Sequence, residues 1–189
     1  KSIVKAQRHG LSEIAQGSSI LIVGGGTGYV LEHLATLGRT HLKIDYVEAS
    51  EAMIELARKR QCPGIKVNFI QAPIEEMTSE HDYDVIITQF FLDSYQGAGL
   101  EQIISQLHDQ LKMNGSWILA DFQRSAGGQK IWQKALLSIM YLFFSITVGI
   151  TARRLEDFQQ HLVRLGYRLS RSQSYYGDFI FSSTYQKSA

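Results

Sequence analysis

The segment Ile20–Gly28, ILIVGGGTG, constrains this chain more than any other stretch. The aliphatic run Ser18–Val23 reads as a buried strand, and it ends in glycines rather than in a polar turn. Glycine permits positive φ and lets another group approach the backbone closely. The next residues, Gly28–Leu37, place Val30, Leu31, Leu34 and Leu37 at helical spacing and close on Gly38. A strand, a glycine turn and a helix in that order aim the free N-terminal amides of the helix at a ligand. The ligands open at this point are a dinucleotide, a nucleotide phosphate and a nucleoside without phosphate, beside a tight turn that binds nothing.

The same alternation continues along the chain. Strands are expected at His41–Val47, Ile65–Ile70, Tyr83–Thr88 and Ser116–Ala120. Between them lie a helix starting at an N-cap Ser50 and carrying Met53, Ile54, Leu56 and Ala57, and a helix over Gly99–Leu111. Pro63-Gly64 and Asn114-Gly115 read as turns. Strands separated by helices pair in parallel through crossovers, which gives an α/β, Rossmann-like sheet with helices on both faces. After a helix near Leu155–Leu165, the runs Tyr167–Ser174 and Asp178–Tyr185 read as an antiparallel hairpin around Tyr176-Gly177. Residues 2–16 read as an N-terminal helix and about 129–150 as an inserted cap helix. No linker or repeat divides the chain, so residues 1–189 are expected to form a single domain.

Fingerprints narrow the ligand. A P-loop requires Gly-Lys-Ser/Thr, but Tyr29 and Val30 follow Gly28. A dinucleotide turn requires a small third residue, and Tyr29 occupies that place. What remains is G-x-G-x-G at Gly24, Gly26 and Gly28. Glu48 ends the second strand, where a carboxylate can accept both hydroxyl hydrogens of a ribose. The plainer reading of Glu48 is a solvated acid or a helix-capping charge beside Ser50.

Composition removes other classes. The chain has 19 Lys and Arg against 18 Asp and Glu, so it lacks the basic surplus of a nucleic-acid binder. One cysteine, Cys62, excludes an internal disulfide framework and a cysteine-rich zinc site. The histidines show no metal spacing, and neither H-E-x-x-H nor G-x-S-x-G occurs. Leu136–Ile150 is uncharged but shorter than the roughly 20 residues of a span, so it reads as a buried helix, a cavity wall or a subunit contact. No signal-peptide pattern opens the sequence, and a cytoplasmic protein is expected. Arg58-Lys59-Arg60 reads as helix-terminal cations that favour the dipole.

Taken together, ILIVGGGTG, DYVEAS, YDVIITQFFLD and LKMNGSWILADF make the chain resemble the class I S-adenosylmethionine-dependent methyltransferases of the small-molecule type, over about Ser18–Phe122. The resemblance implies a seven-stranded sheet whose last strand is antiparallel, with S-adenosylmethionine as cofactor. It implies a cofactor site of Gly24, Gly25, Gly26, Thr27 and Gly28 at the methionyl part and Glu48 on the ribose. It adds Ala49, Ser50, Gln71, Ala72 and Ile74 about the adenine, and Gln89, Phe90 and Phe91 at the methyl-transfer mouth. The chain departs from the family pattern at Ile22, where many members carry an acid, and at Ala72-Pro73, where an aspartate is usual.

Methyl transfer is an in-line displacement that depends mainly on holding nucleophile and methyl group together. Asp93 and Tyr95 follow the fourth strand and are the candidates for orienting or deprotonating an acceptor. A helix N-cap and a core-edge aromatic are the plainer readings. Asp121 ends the fifth strand and either faces the same cavity or closes the turn. The expected partner is a small, lipophilic molecule, with no nucleic acid, no stable membrane span and homodimerisation left open. The alternatives are a non-catalytic nucleoside-binding module of the same fold and a NAD-dependent dehydrogenase.

Overall fold

Alternating burial along the first strand builds two cores at once. In the computed structural model, which describes residues 2–77, 82–122 and 158–188, β1 (Ser19–Val23) is covered on both faces. Leu21 and Val23 point into one layer, and Ile20 and Ile22 into the other. The first layer is closed by α4 (Gly97–Gln110) through Leu100, Ile103, Ile104 and Leu107, with Leu162 of α5 (Phe158–Arg164). The second is closed by Val30, Leu31 and Leu34 of α2 (Tyr29–Thr36) and by Ile54 and Ala57 of α3 (Glu51–Arg58). Each such aliphatic side chain contributes about 1.5–3 kcal/mol when fully buried.

The remaining strands are β2 (Leu42–Glu48), β3 (Ile65–Gln71), β4 (Tyr83–Gln89), β5 (Leu111–Phe122), β6 (Tyr167–Tyr175) and β7 (Ile180–Lys187). Their order in the sheet is β3-β2-β1-β4-β5-β7-β6, seven strands with the first five parallel and β7 antiparallel to both neighbours. The chain leaves β1 toward β2 and later returns to its other side as β4. That reversal opens a crevice at the carboxyl ends of the strands, the place where ligands bind in open α/β sheets. Register puts Val47 and Thr88 opposite Val23, so the three strand ends are level.

The expected strands and hairpin are present, with differences that have local causes. The helix expected over residues 2–16 is shorter: α1 (Ser2–Arg8) stops, and a single 3-10 turn follows at Leu11–Glu13. Gly10 ends it, because its φ is 78° and a Cβ there would lie 2.6 Å from Thr184 Oγ1 on β7. Asn114-Gly115 does not end an element. It is an irregularity inside β5, where pairing with β4 jumps from Tyr83–Leu111 to Val85–Ser116 and Asn114 has φ 62°. The helix expected near Leu155–Leu165 is described from Phe158 onward. The expected cap helix at 129–150 lies outside the described residues, among which no helix is long and apolar enough to cross a membrane.

Two variants test this packing. Trp117 is fully buried and donates to Thr88 Oγ1 at 2.9 Å, so Trp117→Ala is expected to remove about 3–5 kcal/mol of unfolding free energy, read by chemical denaturation. Gly10→Ala is expected to remove about 1–2 kcal/mol through the left-handed backbone alone, and unchanged denaturation would contradict the Gly10 geometry.

Candidate functional site

The glycine turn is shaped by what presses on it. The ring of Phe91 lies against Gly24 where a Cβ would be, and the ring of Tyr46 does the same at Gly25. At Gly28 a Cβ would meet the Cα and Cβ of Ala57 at 2.9 Å, so its absence lets α2 and α3 pack together. Gly26 differs: nothing lies within 4 Å of its missing Cβ, and its φ of 59° is what requires glycine. It is the open point of the turn.

Hydrogen bonds fix that shape from below and behind. Gly24 N–H donates to the Val47 carbonyl at 2.9 Å, and the buried Tyr46 hydroxyl donates to the Gly26 carbonyl at 2.9 Å. Burial first, then the Glu48 carboxylate, pushes the Tyr46 hydroxyl pKa up, which keeps it a donor. Arg60 was read from sequence as a helix-terminal cation, but the structure gives it a further contact. Its Nε donates to the Thr27 carbonyl at 2.8 Å, its Nη1 pairs with Glu32 at 2.9 Å, and it lies 4.0 Å over the Tyr29 ring. The sequence signal for this was the cation-π partner Tyr29 following Gly28.

Glu48 ends β2 beside this turn. Its Oε2 accepts the Gly26 N–H at 2.9 Å and its Oε1 accepts the Ser50 N–H at 3.0 Å. Ser50 does stand at the N-cap of α3, but its hydroxyl makes no capping bond; the Glu48 side chain serves the loop instead. A carboxylate has about four lone-pair sites, so one on each oxygen is left for a second donor. Ala49 and Ser50, both half-buried, flank it.

The residues after β3 divide. Gln71 is exposed and stands opposite Glu48 in register, and Ala72 beside it is half-buried. Ile74, expected beside an adenine, is only 2% exposed and belongs to the core under α4, while its carbonyl accepts from Gln106 Nε2 at 2.9 Å. Glu75, which sequence reasoning did not single out, meets the Tyr95 hydroxyl.

The residues after β4 divide likewise. Gln89 is turned away from the turn and donates from Nε2 to the Gln7 carbonyl at 2.7 Å. Phe90 has φ 57° and packs its ring on Phe122 at 5.0 Å. Phe91 alone of the three reaches Gly24, and Tyr95 packs on it at 5.2 Å. Burial first, then Glu75 and Glu48, raises the Tyr95 pKa. Phe91, Tyr95, Glu75 and Glu48 therefore surround one crevice.

Asp93 does not cap a helix; Gln96 holds the N-cap of α4. Asp93 lies inside a 3-10 turn, Leu92–Ser94, and is 3% exposed. Beneath it Asp121 is fully buried, accepting from the Asp93 N–H at 3.3 Å and the Phe122 N–H at 2.9 Å. Burial raises both carboxyl pKa values, that of Asp93 to about 6 and that of Asp121 well above the ordinary carboxylate value, with the neighbouring Asp93 charge as its second cause. Among the described residues no group of three or more His, Cys, Asp or Glu side chains is placed to hold a metal.

A family model described as a methyltransferase domain matches residues 20–115. A malonyl-[acyl-carrier protein] O-methyltransferase of Priestia megaterium is 36% identical over 107 residues, 57% of this chain and 38% of that protein. A ubiquinone biosynthesis O-methyltransferase of Rickettsia prowazekii is 32% identical over 107 residues, 56% of this chain and 40% of that protein. The matched region thus spans about two-fifths of these curated relatives. Among solved structures, the N-methyltransferase NodS from Bradyrhizobium japonicum WM9 in complex with S-adenosyl-L-homocysteine superposes with a TM-score of 0.68 at 16% identity, covering 98% of this chain and 85% of that one. An O-methyltransferase family protein from Burkholderia thailandensis superposes at 0.72 and 16% identity, covering 100% of this chain and 56% of that one. The chain belongs to the methyltransferase-domain family and has the fold of the class I S-adenosylmethionine-dependent methyltransferases.

Proposed function

We propose that this chain binds S-adenosylmethionine at the glycine turn and transfers its methyl group to a small molecule. The observation that carries the reading is the sign of the crevice. Glu48 and Glu75 both act on the Tyr95 hydroxyl, so carboxylates line it. The guanidinium touching the turn, Arg60, is engaged with Thr27 and Glu32. A phosphate would meet like charge there, whereas a sulfonium is attracted. This disfavours the dinucleotide reading on grounds independent of Tyr29.

The residues present fit an adenosyl group. Glu48 keeps unused lone pairs beside the open Gly26, which suits the adjacent hydroxyls of a ribose. Gln71, Ala72 and the Ala49–Ser50 backbone border the adenine side, and Phe91 and Tyr95 form an aromatic wall toward the methyl-transfer mouth. The donor supplies a methyl on a cationic sulfur, whose bonding pair returns to sulfur as the acceptor bonds carbon. The chain's part is to hold the two at near-attack distance and keep water out. An oxygen acceptor is favoured, because the relatives matched in sequence are named O-methyltransferases. The acceptor proton passes to solvent or to a group on the acceptor side. No basic surplus supports a nucleic-acid acceptor.

Calorimetry with S-adenosylmethionine, S-adenosylhomocysteine and NAD tests the reading. Both sulfur nucleosides are expected to bind and NAD is not; binding of NAD alone would revive a dehydrogenase. Glu48→Gln is expected to weaken S-adenosylhomocysteine by roughly 10- to 100-fold, the value of hydrogen bonds to a charged group. Unchanged affinity removes the ribose assignment. A screen of small hydroxylated acceptors with radiolabelled donor then identifies the substrate.

A further inference from the structure

Of the run Arg58-Lys59-Arg60, Arg60 leaves its own helix and reaches the glycine turn. It follows the C-cap Lys59 of α3, donates its N–H to the Ala57 carbonyl at 3.0 Å, and is half-buried. Its side chain then meets one short segment at several points. The stem packs on Gly28, where a Cβ would come within 3.0 Å of Arg60 Cγ. Nε donates to the Thr27 carbonyl at 2.8 Å, and Nη1 donates to Glu32 Oε1 at 2.9 Å. The guanidinium lies 4.0 Å from the centre of the Tyr29 ring. Arg58 behaves differently: it is exposed and stacks 4.7 Å over Phe69 of β3.

These contacts close a circuit. At the N-terminal end of α3, the Ser50 N–H and the Gly26 N–H share the Glu48 carboxylate, one on each oxygen. At the C-terminal end, Arg60 takes the Thr27 carbonyl. α3 is therefore fastened at both ends to adjacent residues of the turn, Gly26 and Thr27. Gly28, the N-cap of α2, has no side chain with which to hold the start of its helix, and Arg60 reaches that place from α3. A guanidinium suits the task, because its rigid fork donates in two directions while its face lies on an aromatic ring. Arg60 belongs to neither of the apolar layers that flank β1, so its loss frees the turn without opening a cavity.

We propose that Arg60 is a positioning residue for the methyl donor: by holding the Thr27 carbonyl it closes the circuit through Glu48 and α3, and so keeps Gly26 and Glu48 at the spacing that the adenosyl group requires. The proposal rests on the donor reading given above. Arg60 acts through Thr27 and does not itself touch the donor.

Calorimetry with S-adenosylhomocysteine tests it. Arg60→Ala is expected to weaken binding about tenfold, the value of one hydrogen bond from a charged donor. Methylguanidinium added to Arg60→Ala is expected to restore part of that affinity and to leave the wild type unchanged. Arg60→Lys keeps the charge but not the fork, and is expected to stay well below the wild type. Arg58→Ala removes a cation from the same helix end and is expected to bind as the wild type does. Equal losses in Arg58→Ala and Arg60→Ala assign the effect to the helix dipole and overturn the proposal. Unchanged affinity in Arg60→Ala overturns it too, and so does a loss that methylguanidinium does not restore, which marks a merely structural role. Should Arg60→Ala fail to fold, Arg60→Lys carries the test, and wild-type affinity in that variant is the overturning result.

A second measurement needs no donor. Amide hydrogen exchange at Thr27–Tyr29 is expected to be faster in Arg60→Ala, with the amides of β1 and β4 unchanged. If the wild type binds no S-adenosylhomocysteine, the donor reading fails. Exchange then decides the clamp by itself: faster exchange at the turn retains it, and unchanged exchange removes it.

Discussion

No side chain fits at Gly24, Gly25 or Gly28, and the rest of the site depends on that. Each missing Cβ admits a different neighbour: the Phe91 ring from the turn after β4, the Tyr46 ring from β2 and the Ala57 backbone from α3. The three contacts come from three elements, so the turn is fixed by the sheet and by both helices of one layer at once. Gly26, left with open space, is then held by its carbonyl on Tyr46 and its amide on Glu48. Such a turn is held in place by its own neighbours, and little ordering remains for binding to supply.

Level strand ends make this possible. Val23, Val47 and Thr88 stand side by side, so Glu48 and Gln89 both begin where β1 has turned away. One of them enters the crevice and the other leaves it. Glu48 follows its strand out and bends back to two amides, whereas Gln89 is drawn by the Gln7 carbonyl of the N-terminal segment. The difference lies in what packs outside the sheet, since a strand's register sets level but not the final direction of a long polar side chain.

That distinction explains what could be read from sequence. The runs ILIV and VII were legible as strands because both faces are covered and nothing polar interrupts them. The hairpin was legible because Tyr176-Gly177 breaks it locally. The N-terminal helix was overextended because Gly10 acts through Thr184, far along the chain. Asn114-Gly115 read as a turn from its composition, but it lies inside β5, and pairing to β4 decides that. The glycine turn before α2 and the end of β2 at Glu48 were legible through spacing. Ile74 was not placed correctly by it, since a residue next to a loop can still point inward. Arg60, Glu75 and the relation of Asp93 to Asp121 depend on contacts between segments distant in sequence, and no local pattern reports them.

Carboxyl groups gather at this edge of the sheet, yet their surroundings divide them. Glu48 is half-buried and receives one amide on each oxygen, which leaves a lone pair on each for a further donor. Asp93 is sealed, with one oxygen receiving nothing. Lysine and arginine partners were available to other acids of the fold: Asp84 has Lys112, Glu32 has Arg60 and Glu13 has Arg171. None is directed to the crevice or to the pair beneath it. A crevice for an anion would be the natural place for such a cation. The edge is acidic above, whereas below it the buried Asp121 is met by the backbone amides of Asp93 and Phe122. Acidic side chains thus meet two environments at one edge of the sheet, and burial and amide supply are what separate them.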